Sequence, residues 1–148
     1  MAAGEWDHEL FKVIKRKNEE LYDSIEAVRL LVAGRSYEKL DLEKTMDELH
    51  DLLELHFEIE ERGGYLADLV KNEPRYEARV GTLLSEHRAL LEQCEKLRLL
   101  VRSGVESPAF QTRIESDFHK FLSRFLAHEH AEHQLLQGAF SDDIGSGD

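Results

Sequence analysis

Apolar residues recur at alternating steps of three and four in four stretches of the chain. The first holds Phe11, Ile14, Leu21, Ile25 and Val28, and the second Met46, Leu49 and Leu53. The third holds Val80, Leu83, Leu90, Cys94 and Leu97, and the fourth Phe118, Phe121, Phe125 and Leu135. This spacing keeps one side of an α-helix turned toward its neighbours, so the pattern predicts four helices that share a core. Each stripe is interrupted by polar residues at seam positions: Asn18 in the first, His56 and Glu60 in the second, His87 in the third, His128 and Glu132 in the fourth.

Punctuation sets the expected bounds at about 8–33, 42–71, 74–103 and 108–139. Asp7 can cap the first helix, and Gly34 suits the left-handed residue after its end. Asp41 is the expected cap of the second helix, which Gly63-Gly64 kinks or ends before a further turn or two. Pro74 opens the third helix, Gly104 ends it, and Ser107-Pro108 starts the fourth. An acidic, Gly-rich tail over 141–148 is expected to dock loosely. Short loops make neighbouring helices antiparallel, so the expected fold is an all-α, up-down-up-down four-helix bundle, one domain over 1–148. Counted from the loops, Asn18, His56, Glu60 and His87 fall at one depth, whereas His128 overshoots by about one turn, or about 5 Å.

With 148 residues, 41% of them hydrophobic, the chain can bury one core without a second domain. A net charge of −12 disfavours nucleic acid and anionic membrane surfaces as partners. No apolar run approaches the roughly 20 residues of a membrane span, and the first ten residues do not read as a signal peptide, so a cytoplasmic location is expected. The single cysteine, Cys94, lies on a seam and reads as a core group.

His56 and Glu60 are four apart and so share a helix face, as do His128 and Glu132. With His87 they form a layer of three imidazoles and two carboxylates inside an apolar bundle. An unpaired buried ion costs several kcal/mol, and no Lys or Arg occupies a seam position, so a bound cation is the expected countercharge. Oxygen and nitrogen donors without thiolate suit iron or manganese, tolerate zinc, and disfavour calcium and magnesium. Two carboxylates from opposed helices can bridge a pair of ions, and we expect two iron ions, with manganese or zinc able to take their place.

The stretches His56-Phe57-Glu58-Ile59-Glu60-Glu61, Glu86-His87-Arg88 and His128-Glu129-His130-Ala131-Glu132, with the four-helix layout over about 8–139, resemble the hemerythrin-like, or HHE cation-binding, family. The resemblance implies a non-heme di-iron centre, oxo- or carboxylate-bridged, with Glu60 and Glu132 bridging and His56, His87 and His128 as terminal ligands. Members of that family carry or store O₂, sense oxygen or iron, or handle reactive small molecules. Oxygen-carrying members supply a histidine from helix one and a second from helix three. Here Asn18 stands at the first place, and Leu83 and Leu91 flank His87, which implies a more open centre.

Asn18 is therefore an expected weak ligand or hydrogen-bond partner, and Glu61 either orients a ligand imidazole or is a surface acid. Glu19, Glu20 and Glu86 could turn inward. His8, His50, His119, His130 and His133 lie off the seams and are expected mostly in solvent, with His133 the alternative ligand if helix four is rotated. The leading expectation is a module that binds or senses O₂, peroxide or nitric oxide rather than an enzyme. The alternatives are a di-iron enzyme that reduces peroxide or O₂, and a metal-free structural or interaction bundle.

Overall fold

The computed structural model describes residues 8–35, 37–62 and 65–146, with side chains at 16, 18–35, 37–62 and 66–139. Asp7, Gly63-Gly64, the last two residues of the tail, and the side chains of His8, Phe11 and Ile14 lie outside that description. The elements are α1 (His8–Gly34), α2 (Lys39–Arg62), α3 (Tyr65–Asn72), a 3-10 turn (Pro74–Tyr76), α4 (Glu77–Ser103) and α5 (Pro108–Ser146). The described residues contain no strand. Helix α1 packs on α2, α2 on α4, α4 on α5 and α5 back on α1, which closes a four-helix bundle with α3 as a short side element.

Several ends differ from expectation for local reasons. Helix α2 starts at Lys39, so Asp41 lies inside its first turn, where its charge complements the positive end of the helix dipole. The left-handed residue after α1 is Arg35 (φ 54°), not Gly34. Arg35 is held there by its own amide, which donates to the Leu31 carbonyl at 3.2 Å. Its guanidinium donates to Glu115 Oε2 at 3.0 Å, and its carbonyl accepts from Gln111 Nε2 at 3.2 Å. These tie the end of α1 to α5 and offset the steric penalty of a positive φ. Ser107 Oγ accepts from the Phe110 amide at 3.0 Å and so caps α5. Helix α5 continues through Ser146 rather than stopping near Ala139, and so includes most of the expected tail.

Gly104 ends α4 with φ −76°. Its value lies in space: a Cβ there would stand 1.8 Å from Phe110 Cε2. The Phe110 ring therefore lies directly on the glycine and joins the two ends of the α4–α5 loop.

The core falls into two unequal parts. The larger holds Leu21, Ile25, Val28 and Val32 of α1, Leu42 to Phe57 of α2, Leu90 to Val101 of α4, and Phe110 to Phe125 of α5. The smaller holds Leu66, Tyr76, Val80, Leu83 and Leu135. Along α4 and α5 the two meet at His87, His128 and Glu132, so the polar layer is a partition between two apolar regions. Cys94 is fully buried in the larger one, and burial pushes its thiol up to about 12, which suits an inert packing group.

Candidate metal centre

The structure brings His56, Glu60, His87, His128 and Glu132 together at one level, and none is more than 5% exposed. The expected one-turn overshoot on α5 does not displace His128, whose ring centroid lies 4.9 Å from that of His87. Each imidazole is oriented from behind. His87 Nδ1 donates to Glu61 Oε2 at 2.9 Å, and His128 Nδ1 donates to Glu86 Oε1 at 2.7 Å. His56 Nδ1 donates to Asn18 Oδ1 at 2.8 Å. An acceptor at Nδ1 fixes the proton there and turns Nε2 inward, the arrangement that prepares an imidazole to bind a metal. Asn18 thus acts on His56, Glu61 is an orienting acid, and Glu86 reaches His128 from the flank.

His87 Nε2 and His128 Nε2 are buried and have no hydrogen-bond partner. An orphaned polar atom in a core costs roughly 1–3 kcal/mol, so two of them aimed into one layer need a ligand they can share. Glu60 Oε1 lies 2.9 Å from His56 Nε2 and 3.7 Å from His87 Nε2, reaching both α2 and α4 imidazoles. His128 Nε2 stands 3.5 Å from Glu132 Oε2. Glu132 holds the Glu60 carboxyl above its ordinary range, so the two carboxylates resist being ionised together unless a proton or a cation is shared near them.

The electrostatics agree. Burial, opposed by His56 and reinforced by Glu132, pushes the Glu60 carboxyl up to about 8. Burial alone would lower His56, but its hydrogen bonds to Glu129 and Glu60 prevail and hold it at about 10. Burial lowers His87 despite Glu61, whereas the neighbouring carboxylates of Glu132 and Glu86 outweigh burial and raise His128. Burial also pushes the Tyr22 hydroxyl up to about 12, helped by the charges of Glu129, Glu132 and Glu60. Three members of the layer, His56, Glu60 and His128, thus hold protons more tightly than usual, and His87 less tightly.

Two groups have three ligand atoms within 4.8 Å of one another: His87, His128 and Glu132, and His56, Glu60 and Glu129. Glu129 is the residue that spacing misses. It lies beside the α5 stripe, its side chain 18% exposed, and its Oε1 is 3.0 Å from His56 Nε2. The available signal is its position directly after His128, on the helix flank next to the stripe.

The off-seam histidines divide differently. His119, His130 and His133 are exposed, so His133 takes no part in the layer. His50 is half-buried, within 3.4 Å of Glu95 and 3.5 Å of Asp51. Glu19 is exposed. Among the described residues no helix is long and apolar enough to cross a membrane.

No curated protein and no solved structure gives a significant match. The model of the hemerythrin HHE cation binding domain matches residues 9–140, nearly the whole chain, and that span contains the buried histidines and glutamates of α2, α4 and α5. A bundle whose buried His and Glu groups could hold a metal cation is the fold this family describes. The chain belongs to the hemerythrin HHE cation-binding family.

Proposed function

We propose that the layer is a di-iron centre that binds or senses O₂ or a related small ligand such as peroxide or nitric oxide. His56, His87 and His128 are its terminal ligands, and Glu60 and Glu132 bridge. The observation that carries this reading is the reach of a single Glu60 oxygen to the inward nitrogens of both His56 and His87, which links the two three-residue groups through one carboxylate. Iron in that place supplies reversible ligand binding and electron transfer, and manganese or zinc fits the same donors.

The protein's own contribution is orientation and dryness. Glu61, Glu86 and Asn18 hold the imidazoles, while Phe57 and Phe125 border the layer and keep water from it. A cleft of about 160 Å³ lined by Glu86, Leu90, Ala127, His128 and Ala131 offers a small molecule a path to the His128 side.

Metal analysis and an absorption spectrum after aerobic, iron-supplemented expression test the proposal. The expected result is about two iron ions per chain and a coloured solution. Less than about half an equivalent of iron, manganese or zinc overturns it.

Reductive turnover of peroxide or O₂ is the second reading, and the carboxylate-rich surroundings of His56 favour it, because oxygen donors stabilise a higher oxidation state. Steady peroxide consumption that His56→Ala abolishes supports turnover. Stoichiometric oxidation that then stops supports binding.

A further inference from the structure

The two ends of the layer are chemically unlike. His87, His128 and Glu132 offer two nitrogens and one carboxylate, and all three are buried. His56, Glu60 and Glu129 offer one nitrogen and two carboxylates. Among the described residues of α1 none joins the second group, and Asn18 Oδ1 is instead engaged by His56 Nδ1 at 2.8 Å. Glu129 approaches His56 Nε2 from the other side, at 3.0 Å, beside Glu60 at 2.9 Å. At the first group, by contrast, the buried Nε2 atoms of His87 and His128 have no hydrogen-bond partner and both face inward.

We infer that Glu129 is a metal ligand at the His56 end of the layer, and that the two positions it helps to distinguish select different ions. The His87–His128–Glu132 position prefers a borderline ion such as zinc or ferrous iron. The His56–Glu60–Glu129 position prefers a harder ion such as manganese(II) or ferric iron.

The chemistry is that of donor softness. Imidazole suits zinc and ferrous iron, whereas carboxylate suits manganese and other hard ions. Zinc binds more tightly than manganese at almost any such site, so selectivity lies in which position the first zinc ion takes. With zinc limiting, the nitrogen-rich position fills first and the oxygen-rich position is left for manganese. The second position also carries one more formal negative charge, which favours an ion whose bonding is mainly electrostatic.

The inference rests on the di-metal reading, and the experiment separates the two. Metal-stripped protein receives one equivalent of Zn²⁺ and then one of Mn²⁺. Manganese is read by electron paramagnetic resonance, and zinc is located by anomalous scattering in crystals. The expected result is zinc at His87, His128 and Glu132, and manganese with the spectrum of a single uncoupled ion.

Glu129→Gln is expected to weaken manganese retention at least about tenfold while the zinc equivalent stays bound. Zinc spread evenly over both positions, or Glu129→Gln with both equivalents unaltered, overturns the inference and leaves the di-metal reading standing. Failure of the wild-type protein to bind either ion overturns both. The wild-type arm requires no substitution, and a circular-dichroism melt of Glu129→Gln checks that the variant folds.

Discussion

Phe57 lies flat against His87, with ring centroids 4.0 Å apart and planes 10° from parallel. Phe57 is 1% exposed, so the same ring fills the core and holds one imidazole of the layer in place. Phe57→Ala is expected to lower stability by about 3–5 kcal/mol, the usual range for emptying a buried aromatic site. Urea denaturation measures it. A loss below about 0.5 kcal/mol, the range of surface substitutions, contradicts this packing.

Glu61 and Glu86 hold His87 and His128 by their Nδ1 atoms, yet their side chains are 47% and 38% exposed. Their removal leaves little cavity and should barely alter the melting temperature. Metal affinity is another matter. Glu61→Ala and Glu86→Ala are each expected to weaken metal binding by about 10- to 100-fold, read in a chelator competition. Unaltered affinity in both variants would show that the imidazoles need no such support.

Glu60→Leu separates a metal-holding layer from an inert one. In a layer that holds metal, loading raises the melting temperature of the wild-type protein, and the substitution abolishes that rise. In a bundle that has no use for metal, loading does nothing to either protein, and the buried leucine packs at least as well as the acid. Paired thermal melts with and without added metal distinguish the two.

The pH dependence of the metal-stripped protein follows from the buried groups. His56 is raised from 6.5 to about 10 on folding, so its contribution is complete below about pH 6.5 and is lost as the pH climbs toward 10. Glu60 is raised from 4.5 to about 8, so it opposes folding increasingly as the pH rises between those values. His87 is lowered and acts in the opposite sense, but only below about pH 6.5. The melting temperature should therefore fall between pH 7 and pH 9, about the span these two groups cover, and fall less in Glu60→Gln. A flat profile in the stripped wild-type protein contradicts this.

Gly104→Ala would drive a methyl group into the Phe110 ring, 1.8 Å from Cε2. The ring must shift out of the core, and a loss of about 1–3 kcal/mol is expected, measured by chemical denaturation. Phe110→Ala in the same background should relieve the clash, so the two substitutions should be markedly non-additive.

The bundle is legible in the sequence because seams of three-and-four spacing have one sensible burial, and the polar layer stands out because His and Glu four apart interrupt seams that carry no Lys or Arg. Glu129 is not legible by that logic. It lies next to the stripe and is partly exposed, and no periodicity separates it from the acids that cover the helix surfaces. The left-handed residue at Arg35 is hidden for a related reason, since Gly34 is the better local candidate and only distant partners on α5 favour its neighbour. The early start of α2 and the run of α5 past Ala139 depend on weak signals at helix ends, where each added residue changes little energy.

Because the apolar side chains on either flank of the polar partition differ so much in extent, its two doors are not equally heavy. The modest cap built from Leu66, Tyr76, Val80, Leu83 and Leu135 buries far fewer groups than the large aromatic and aliphatic mass beyond it. Transient opening should run through the cap, with the amides of α3 and the start of α4 exchanging hydrogen well before those around Phe118 and Leu49. Ions and small molecules would then come and go at that end while the rest of the bundle stays shut.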